Sequence, residues 1–207
     1  MPISAVFGKA YTALMLAKFF EAGLIRRIVD VGAGAGTYHS LLSPVAPGVH
    51  WIAVEAWTPN IDRFGLDALY DEVVAGDVRD VDFAPLAPDL VLFGDVLEHM
   101  TRDDACEVVK RAVEAAPHVM ISIPLIPWPQ DEIDGNPFER HVKDDWSHQE
   151  VRDSFPGVAA CLIHGPIGVY FLSRRPEAAG RLARVHDVVA PLMIRRFGRD
   201  ILLAERA

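Results

Sequence analysis

The stretch Ile28-Val29-Asp30-Val31-Gly32-Ala33-Gly34-Ala35-Gly36-Thr37 runs a short apolar strand into a turn built on alternate glycines. Glycine tolerates left-handed backbone and brings the main chain close to a ligand, and the helix that follows such a turn offers unpaired N–H groups. A turn of this kind is a nucleotide site in outline. Counted from Gly32, the dinucleotide fingerprint G-x-G-x-x-G needs a small residue at position 37, and Thr37 stands there, which disfavours a nicotinamide dinucleotide. Glycine turns also serve purely structural ends, so the flanking segments decide.

Outward from this turn, β-rich runs at Arg27–Val31, Trp51–Glu55, Glu72–Ala75, Leu90–Gly94 and His118–Pro124 alternate with helical stretches at Tyr38–Ser43, Asn60–Leu66 and Arg102–Ala116. That alternation predicts parallel strands with crossover helices. Asp103, Asp104 and Glu107 open the last helix, where they suit its dipole. Upstream, Val6, Tyr11, Leu14, Met15, Phe19 and Phe20 recur at helical spacing, so residues 1–24 read as a leading helix with Ser4 as N-cap and Gly23 as stop. Phe7 and Tyr11 on it are candidates to cover a ligand.

After Pro124 a polar, proline-rich segment, residues 125–147, is too long for a simple connection and reads as a lid or substrate loop. A short helix near His148–Ser154 precedes two β-like runs, Ala159–His164 and Gly168–Ser173, close enough to pair antiparallel at the sheet edge. Residues 174–207 read as a helical tail. It carries eight arginines against four acids, so the rest of the chain holds −13 of the net −9. The tail is either a solvated helix face or a docking surface, and Val185, Val188, Val189, Leu192 and Met193 on it could pack on their own domain or form a homodimer face.

A chain of 207 residues with 51% apolar content fits one domain with a two-sided core. No apolar run approaches the ~20 residues of a membrane span, no leader precedes the first helix, and a cytoplasmic protein is expected. Cys106 and Cys161, far apart and placed on a helix and a strand, read as reduced core residues. The acidic balance repels nucleic acid, so a small-molecule partner is expected and a nucleic-acid partner is not.

Each central strand delivers an acid at its end. Glu55 closes one, Asp77 follows Gly76, and Asp95 follows Gly94, at successive gaps of 25, 22 and 18 residues from Asp30. In an open parallel sheet ligands sit beyond the carboxyl ends of the strands, so these acids converge on one crevice. There they could accept hydrogen bonds from ribose hydroxyls and an adenine amine, and they favour a cation.

From Arg27 to Pro124 the chain resembles the class I S-adenosylmethionine-dependent methyltransferases. The resemblance rests on Asp30-x-Gly-x-Gly-x-Gly36, Glu55, Gly76-Asp77-Val78 and Gly94-Asp95-Val-Leu-Glu-His99. It implies a Rossmann-like α/β three-layer sandwich, with a seven-stranded, mostly parallel sheet whose last strand is antiparallel. It implies S-adenosylmethionine as cofactor and S-adenosylhomocysteine as product. Gly32, Ala33, Gly34 and Gly36 would follow the methionine end with Asp30 near its amino group, Glu55 would hold the ribose with Ala56 beside it, and Asp77 and Val78 would read the adenine. Gly94 and Asp95 would border the methionine and the substrate entrance.

The loop segment Gly135-Asn136-Pro137-Phe138-Glu139-Arg140-His141, with Trp146 after it, resembles a pattern of some small-molecule members of this superfamily. That resemblance implies His141 as general base or substrate-orienting group, Glu139 holding its ring, Trp146 as a wall and Asn136 toward the substrate. His99 is the rival base, and either could simply fix local structure; His39 reads as solvent-facing or as a helix cap. Loop acids Asp131, Glu132 and Asp134 could approach Asp95, but no closely spaced ligand set is visible and no metal is expected. Asn136-Pro137-Phe138 lies too late in the chain for the Asn/Asp-Pro-Pro-aromatic box of nucleic-acid amino-methyltransferases. The sequence thus points to methylation of a small-molecule hydroxyl, in a sugar or secondary metabolite. Methylation of RNA or protein through the basic tail, and a cofactor-binding module without catalysis, remain the alternatives.

Overall fold

The computed structural model describes residues 6–206. Its elements run α1 (Lys9–Glu21), β1 (Arg27–Val31), α2 (Thr37–Leu42), β2 (His50–Glu55), α3 (Pro59–Phe64), α4 (Leu66–Leu69), β3 (Glu72–Ala75), β4 (Leu90–Gly94), α5 (Arg102–Ala115), β5 (His118–Pro124), α6 (His148–Ser154), β6 (Val158–His164), β7 (Ile167–Leu172), α7 (Pro176–Phe197) and β8 (Ile201–Arg206). They build one sheet in the order β3-β2-β1-β4-β5-β7-β6-β8. The first five strands in that order are parallel; β7 runs antiparallel to β5, and β6 antiparallel to β7.

Most of β1, β2, β4 and β5 is buried, because both faces of the sheet are covered. Alternate strand residues serve opposite layers. Val29, Val31, Val91, Phe93, Val119 and Ile121 pack with Val108, Val109 and Ala112 of α5 and with Val151 and Phe155 on the α6 side. Ile28, Ala53, Leu90, Leu92 and Met120 pack with Tyr11, Met15 and Phe19 of α1, Leu42 of α2, and Leu182 and Met193 of α7. The α/β three-layer sandwich expected from the sequence is therefore present. Helix α5 is capped by Thr101, whose hydroxyl accepts from the Asp104 amide and donates to the Asp104 carboxylate.

Two expectations change. The sheet has eight strands, since residues 201–206 leave the tail and pair antiparallel with β6. Helix α7 stops at Gly198, whose φ of 57° suits glycine, and the apolar run Ile201-Leu202-Leu203-Ala204 then finds an open sheet edge. Of the tail residues considered for a dimer face, Val189 and Met193 are buried in the protein's own core, and Val188 and Leu192 face outward. Tyr11 is also core rather than cleft, its hydroxyl paired with His186 Nδ1 at 2.7 Å. The Ser4 cap lies outside the described residues. Cys106 and Cys161 are free thiols on α5 and β6. Among the described residues no helix is long and apolar enough to cross a membrane.

The 125–147 segment folds back over the carboxyl ends of the strands and is fixed by main-chain bonds. Amides of Val142 and Lys143 donate to the Glu98 carbonyl, Trp128 N to Asp144 O, and Leu125 N to Pro166 O. Trp146 anchors it from beneath: it is 1% exposed, packs against Phe155, and lies with the α5 layer. Truncating a buried aromatic of this size typically costs about 3–5 kcal/mol. Trp146→Ala is expected at the low end, about 3 kcal/mol, because the indole N–H has no partner to lose. Trp128→Ala, at a ring 44% exposed, should cost under about 1 kcal/mol. Urea unfolding of the two variants checks this, and equal losses would contradict the assignment of Trp146 as the anchor.

Candidate functional site

A cleft of about 520 Å3 opens beyond the carboxyl ends of β1, β2, β3 and β4. Of the positions singled out in the sequence, Asp30, Gly32, Ala33, Gly34, Glu55, Ala56, Asp77, Val78, Gly94 and Asp95 line it, as do His99, Asn136, Glu139 and His141. Gly36 does not; it starts α2 at φ 69° with Leu69 close behind. Trp146 is not a wall of the cleft but lies in the core beneath the loop. Phe7 lines it as expected, whereas His39 packs against Trp51 and Tyr70 outside it.

The glycine turn is shaped by its neighbours. Gly32, at φ 64°, donates to Val54 O, and a Cβ there would come 2.8 Å from Val96 Cγ2, so the backbone lies closer to β4's turn than any side chain would allow. Glu55 fastens the turn. Its buried carboxylate accepts from Gly34 N at 2.8 Å and Trp57 N at 2.9 Å, with Asn60 Nδ2 at 3.3 Å. A carboxylate offers about four lone-pair positions, so one remains for a ligand hydroxyl.

Asp30 sits behind the turn and accepts from the Tyr70 hydroxyl at 2.6 Å. Burial pushes its carboxyl up to about 7, with Glu55 adding; the Tyr70 bond and Lys9 oppose the shift. Lys9 on α1 approaches this end from the other side, over the Tyr38 ring, and burial lowers its pKa against the pull of Asp95 and Asp30. Asp77 is gripped by Arg79, through Nε and Nη2, which holds its carboxyl below the usual range. Asp95 holds φ at 59°, a left-handed conformation that Asp tolerates better than most residues and that commonly marks a ligand site. The Ser122 hydroxyl donates to its Oδ1.

At the far end the loop brings two histidines together. The rings of His99 and His141 lie 4.8 Å apart, edge to face. His141 Nδ1 is hydrogen-bonded to Trp128 O, and His99 Nδ1 to Arg140 O at 3.2 Å. A carbonyl only accepts, so each Nδ1 carries a hydrogen, and in the neutral imidazole Nε2 then holds the lone pair. The ring of His141 is thus held by a backbone carbonyl and not by Glu139, whose carboxylate accepts from Asn136 Nδ2. Burial, reinforced by His141, pushes the His99 imidazole down to about 4. Glu98 is 2% exposed, its carboxyl raised well above the usual range by burial and then by Asp95. The sequence assigned Glu98 no role of its own; its adjacency to His99 just past a strand end was the available signal. Tyr38 and Arg79, which line the cleft, and Tyr70 and Lys9, which act on it through Asp30 and Tyr38, were missed because only the fold brings them together.

The lining suits an adenosyl sulfonium: the carboxyl groups of Asp30, Glu55, Asp77 and Asp95 for a cation and hydroxyls, and a glycine backbone that leaves room beside them. Residues 29–119 match the family model of a methyltransferase domain. A sequence comparison with curated proteins finds no match. Among solved structures, the N-terminal domain of EvdMO1 in the presence of SAH and D-fucose is 18% identical with a TM-score of 0.61, covering 81% of this chain and 83% of that one. The mitomycin 7-O-methyltransferase MmcR is 19% identical, TM-score 0.57, over 81% of this chain and 54% of MmcR. An O-methyltransferase family protein from Burkholderia thailandensis is 18% identical, TM-score 0.52, over 81% and 57%. The chain spans four-fifths of the EvdMO1 domain and little more than half of the other two. The matched segment thus covers β1 through the start of β5, the strands whose carboxyl ends form the cleft, and the sheet order around it is shared with these solved structures at the level of the fold.

Asp30 gives the cleft a measurable signature. In the unfolded chain it titrates near 3.8 and in the folded protein near 7, so between these values unfolding releases a proton that the native state keeps. Its contribution lowers stability as pH rises through that window, by up to about 1.4 kcal/mol per pH unit, and is constant outside it. Glu98, also raised by burial, acts in the same direction. Asp30→Asn keeps an acceptor for Tyr70 and should remove one proton's share of the slope in urea unfolding between pH 4 and about 7. An unchanged slope would mean that Asp30 is ionised in the native protein.

Proposed function

We propose that this enzyme methylates a hydroxyl group of a small molecule, a sugar or a secondary metabolite, with the His99–His141 pair at the acceptor end. The observation that carries this reading is the pairing of two imidazoles across the cleft, each with Nδ1 engaged by a backbone carbonyl. When bound, S-adenosylmethionine supplies an electrophilic methyl group: the acceptor oxygen bonds to the methyl carbon, the carbon–sulfur pair goes to sulfur, and the hydroxyl proton must be taken up.

Asp30, Gly32, Ala33 and Gly34 would hold the methionine end of the cofactor. Glu55 and Ala56 would serve the ribose, Asp77 and Val78 the adenine, and Gly94 and Asp95 the border with the acceptor. His141 would take the acceptor proton on Nε2, in a position fixed by its bond to Trp128 O. His99 lies on the sheet side of it and helps hold the acceptor oxygen. Trp128 and Phe138, both partly exposed and both lining the cleft, offer apolar surface to a ring-shaped acceptor, with Asn136 and Glu139 as polar partners. The hydroxyl preference is supported by this histidine chemistry and by likeness to MmcR and to the EvdMO1 domain studied with D-fucose.

Calorimetric titration with S-adenosylmethionine, S-adenosylhomocysteine and NAD should show saturable binding of the two adenosyl compounds only. Release of S-adenosylhomocysteine across a panel of hydroxylated acceptors then identifies the substrate. On that substrate His141→Ala is expected to lower kcat by about 10²–10⁴-fold with unchanged S-adenosylhomocysteine affinity. Unchanged turnover would remove His141 from the chemistry, and folded protein that binds neither adenosyl compound would end the reading.

A further inference from the structure

The histidine pair has a third member. Glu98, His99 and His141 each place a ligating atom within 4.8 Å of the other two. Two ligands each about 2.1 Å from one ion lie no more than about 4.2 Å apart, so closing on a cation requires about an ångström of side-chain movement. Glu98 Oε2 is buried and has no hydrogen-bond partner, in a side chain otherwise sealed from water. An orphaned carboxylate oxygen in such a place is costly, and a cation is one way to satisfy it.

The histidines are oriented as metal-binding histidines commonly are. Each turns Nδ1 to a backbone carbonyl, which fixes the ring and leaves Nε2 as the donor atom. All three side chains line the cleft, so ligand positions stay open toward the acceptor, and Asp95 and Glu139 lie near enough to act on Glu98 and add negative potential. Two imidazoles and one carboxylate with open positions is a donor set for a first-row divalent cation rather than for calcium.

We infer that Glu98, His99 and His141 form a binding site for a divalent transition-metal cation at the acceptor end of the cleft. Binding itself follows from the donor set; its role rests on the methyltransferase reading and deepens it. The cation would coordinate the acceptor oxygen, and the O–H proton would leave to solvent water as the oxygen–metal bond strengthens, with no change of oxidation state. His141 would then act through the metal in place of taking the proton itself. Because Glu98 follows β4 and His141 belongs to the 125–147 loop, the ion would also staple loop to sheet, beside the Val142 and Lys143 amides already bound to Glu98 O.

The rival cluster of His148, Cys161 and Glu205 is less suited to a cation. Arg152 already pairs with Glu205 at 2.9 Å, and Tyr170 engages His148 Nδ1. A cation bound there would be untouched by substitution of Glu98 or His141.

Chelator-treated, dialysed protein is titrated with Co2+ while its visible d–d absorption is followed, for the wild type, Glu98→Gln and His141→Ala. S-adenosylhomocysteine is titrated calorimetrically into each. One Co2+ per chain is expected in the wild type, with affinity at least about tenfold weaker in both variants and S-adenosylhomocysteine binding preserved. No saturable Co2+ binding, or equal binding in all three proteins, overturns the site, the second outcome placing the ion elsewhere. If Co2+ does not bind while S-adenosylhomocysteine does, the methyltransferase reading stands without the metal. If S-adenosylhomocysteine fails to bind the folded wild type, that reading fails and the Co2+ titration still decides the cation site.

Discussion

The carboxylate of Glu55 holds the cleft in shape. It stands at the end of a strand whose neighbours are apolar, and it binds the Gly34 amide of one turn and the Trp57 amide and Asn60 side chain of the next. Two loops that differ in sequence and length are thereby referenced to one point on the sheet. Hydrogen bonds from backbone amides to a carboxylate are stronger than neutral ones, and in a buried setting the penalty for leaving such a carboxylate unpaired is high. The turn's left-handed glycines, the room beside Val96 and the starts of α2 and α3 all follow from where that tie sets the backbone. A ligand hydroxyl meeting Glu55 meets a group already rigid, and little ordering is left for binding to impose.

The central sheet was legible in the sequence for a physical reason. Parallel strands buried on both faces are short, mainly apolar runs, and β1, β4 and β5 start and end where the sequence pattern placed them. The acids after those strands were legible with them, because strand ends and cleft coincide in this architecture. What the sequence hid was pairing across distance. β8 follows an arginine-rich helix and gains its partner only because β6 lies at an open edge, so nothing local distinguished it from a continued tail. Tyr70 with Asp30, Tyr38 against Gly94, and Arg79 with Asp77 show the same limit at the side-chain level. Trp146 misled because a tryptophan beside a substrate loop serves equally well as that loop's root in the core.

Opposite signs of pKa shift in one cleft reflect how unevenly it is wetted. Asp77, clamped by a guanidinium near the surface, stays ionised, whereas Asp30 and Glu98, cut off from water, are pushed the other way. Burial alone would weaken both as anions. Each therefore becomes more useful when a cation arrives, Asp30 with Lys9 already near it, and Glu98 with the histidines beside it.

Much of the loop's path over the cleft is set by main-chain atoms: two of its amides donate to the Glu98 carbonyl, Leu125 N to Pro166 O, and Trp128 N to Asp144 O within the loop itself. Main-chain attachment is indifferent to side-chain identity. Positions such as Trp128, Phe138 and Val142 can drift in sequence while the loop keeps its path, provided Trp146 still roots it. Descendants of this chain could thus acquire new acceptors by exchanging a few outward side chains, with neither the sheet nor the cofactor pocket disturbed. The fold separates the part that must be inherited unchanged from the part that can be retuned.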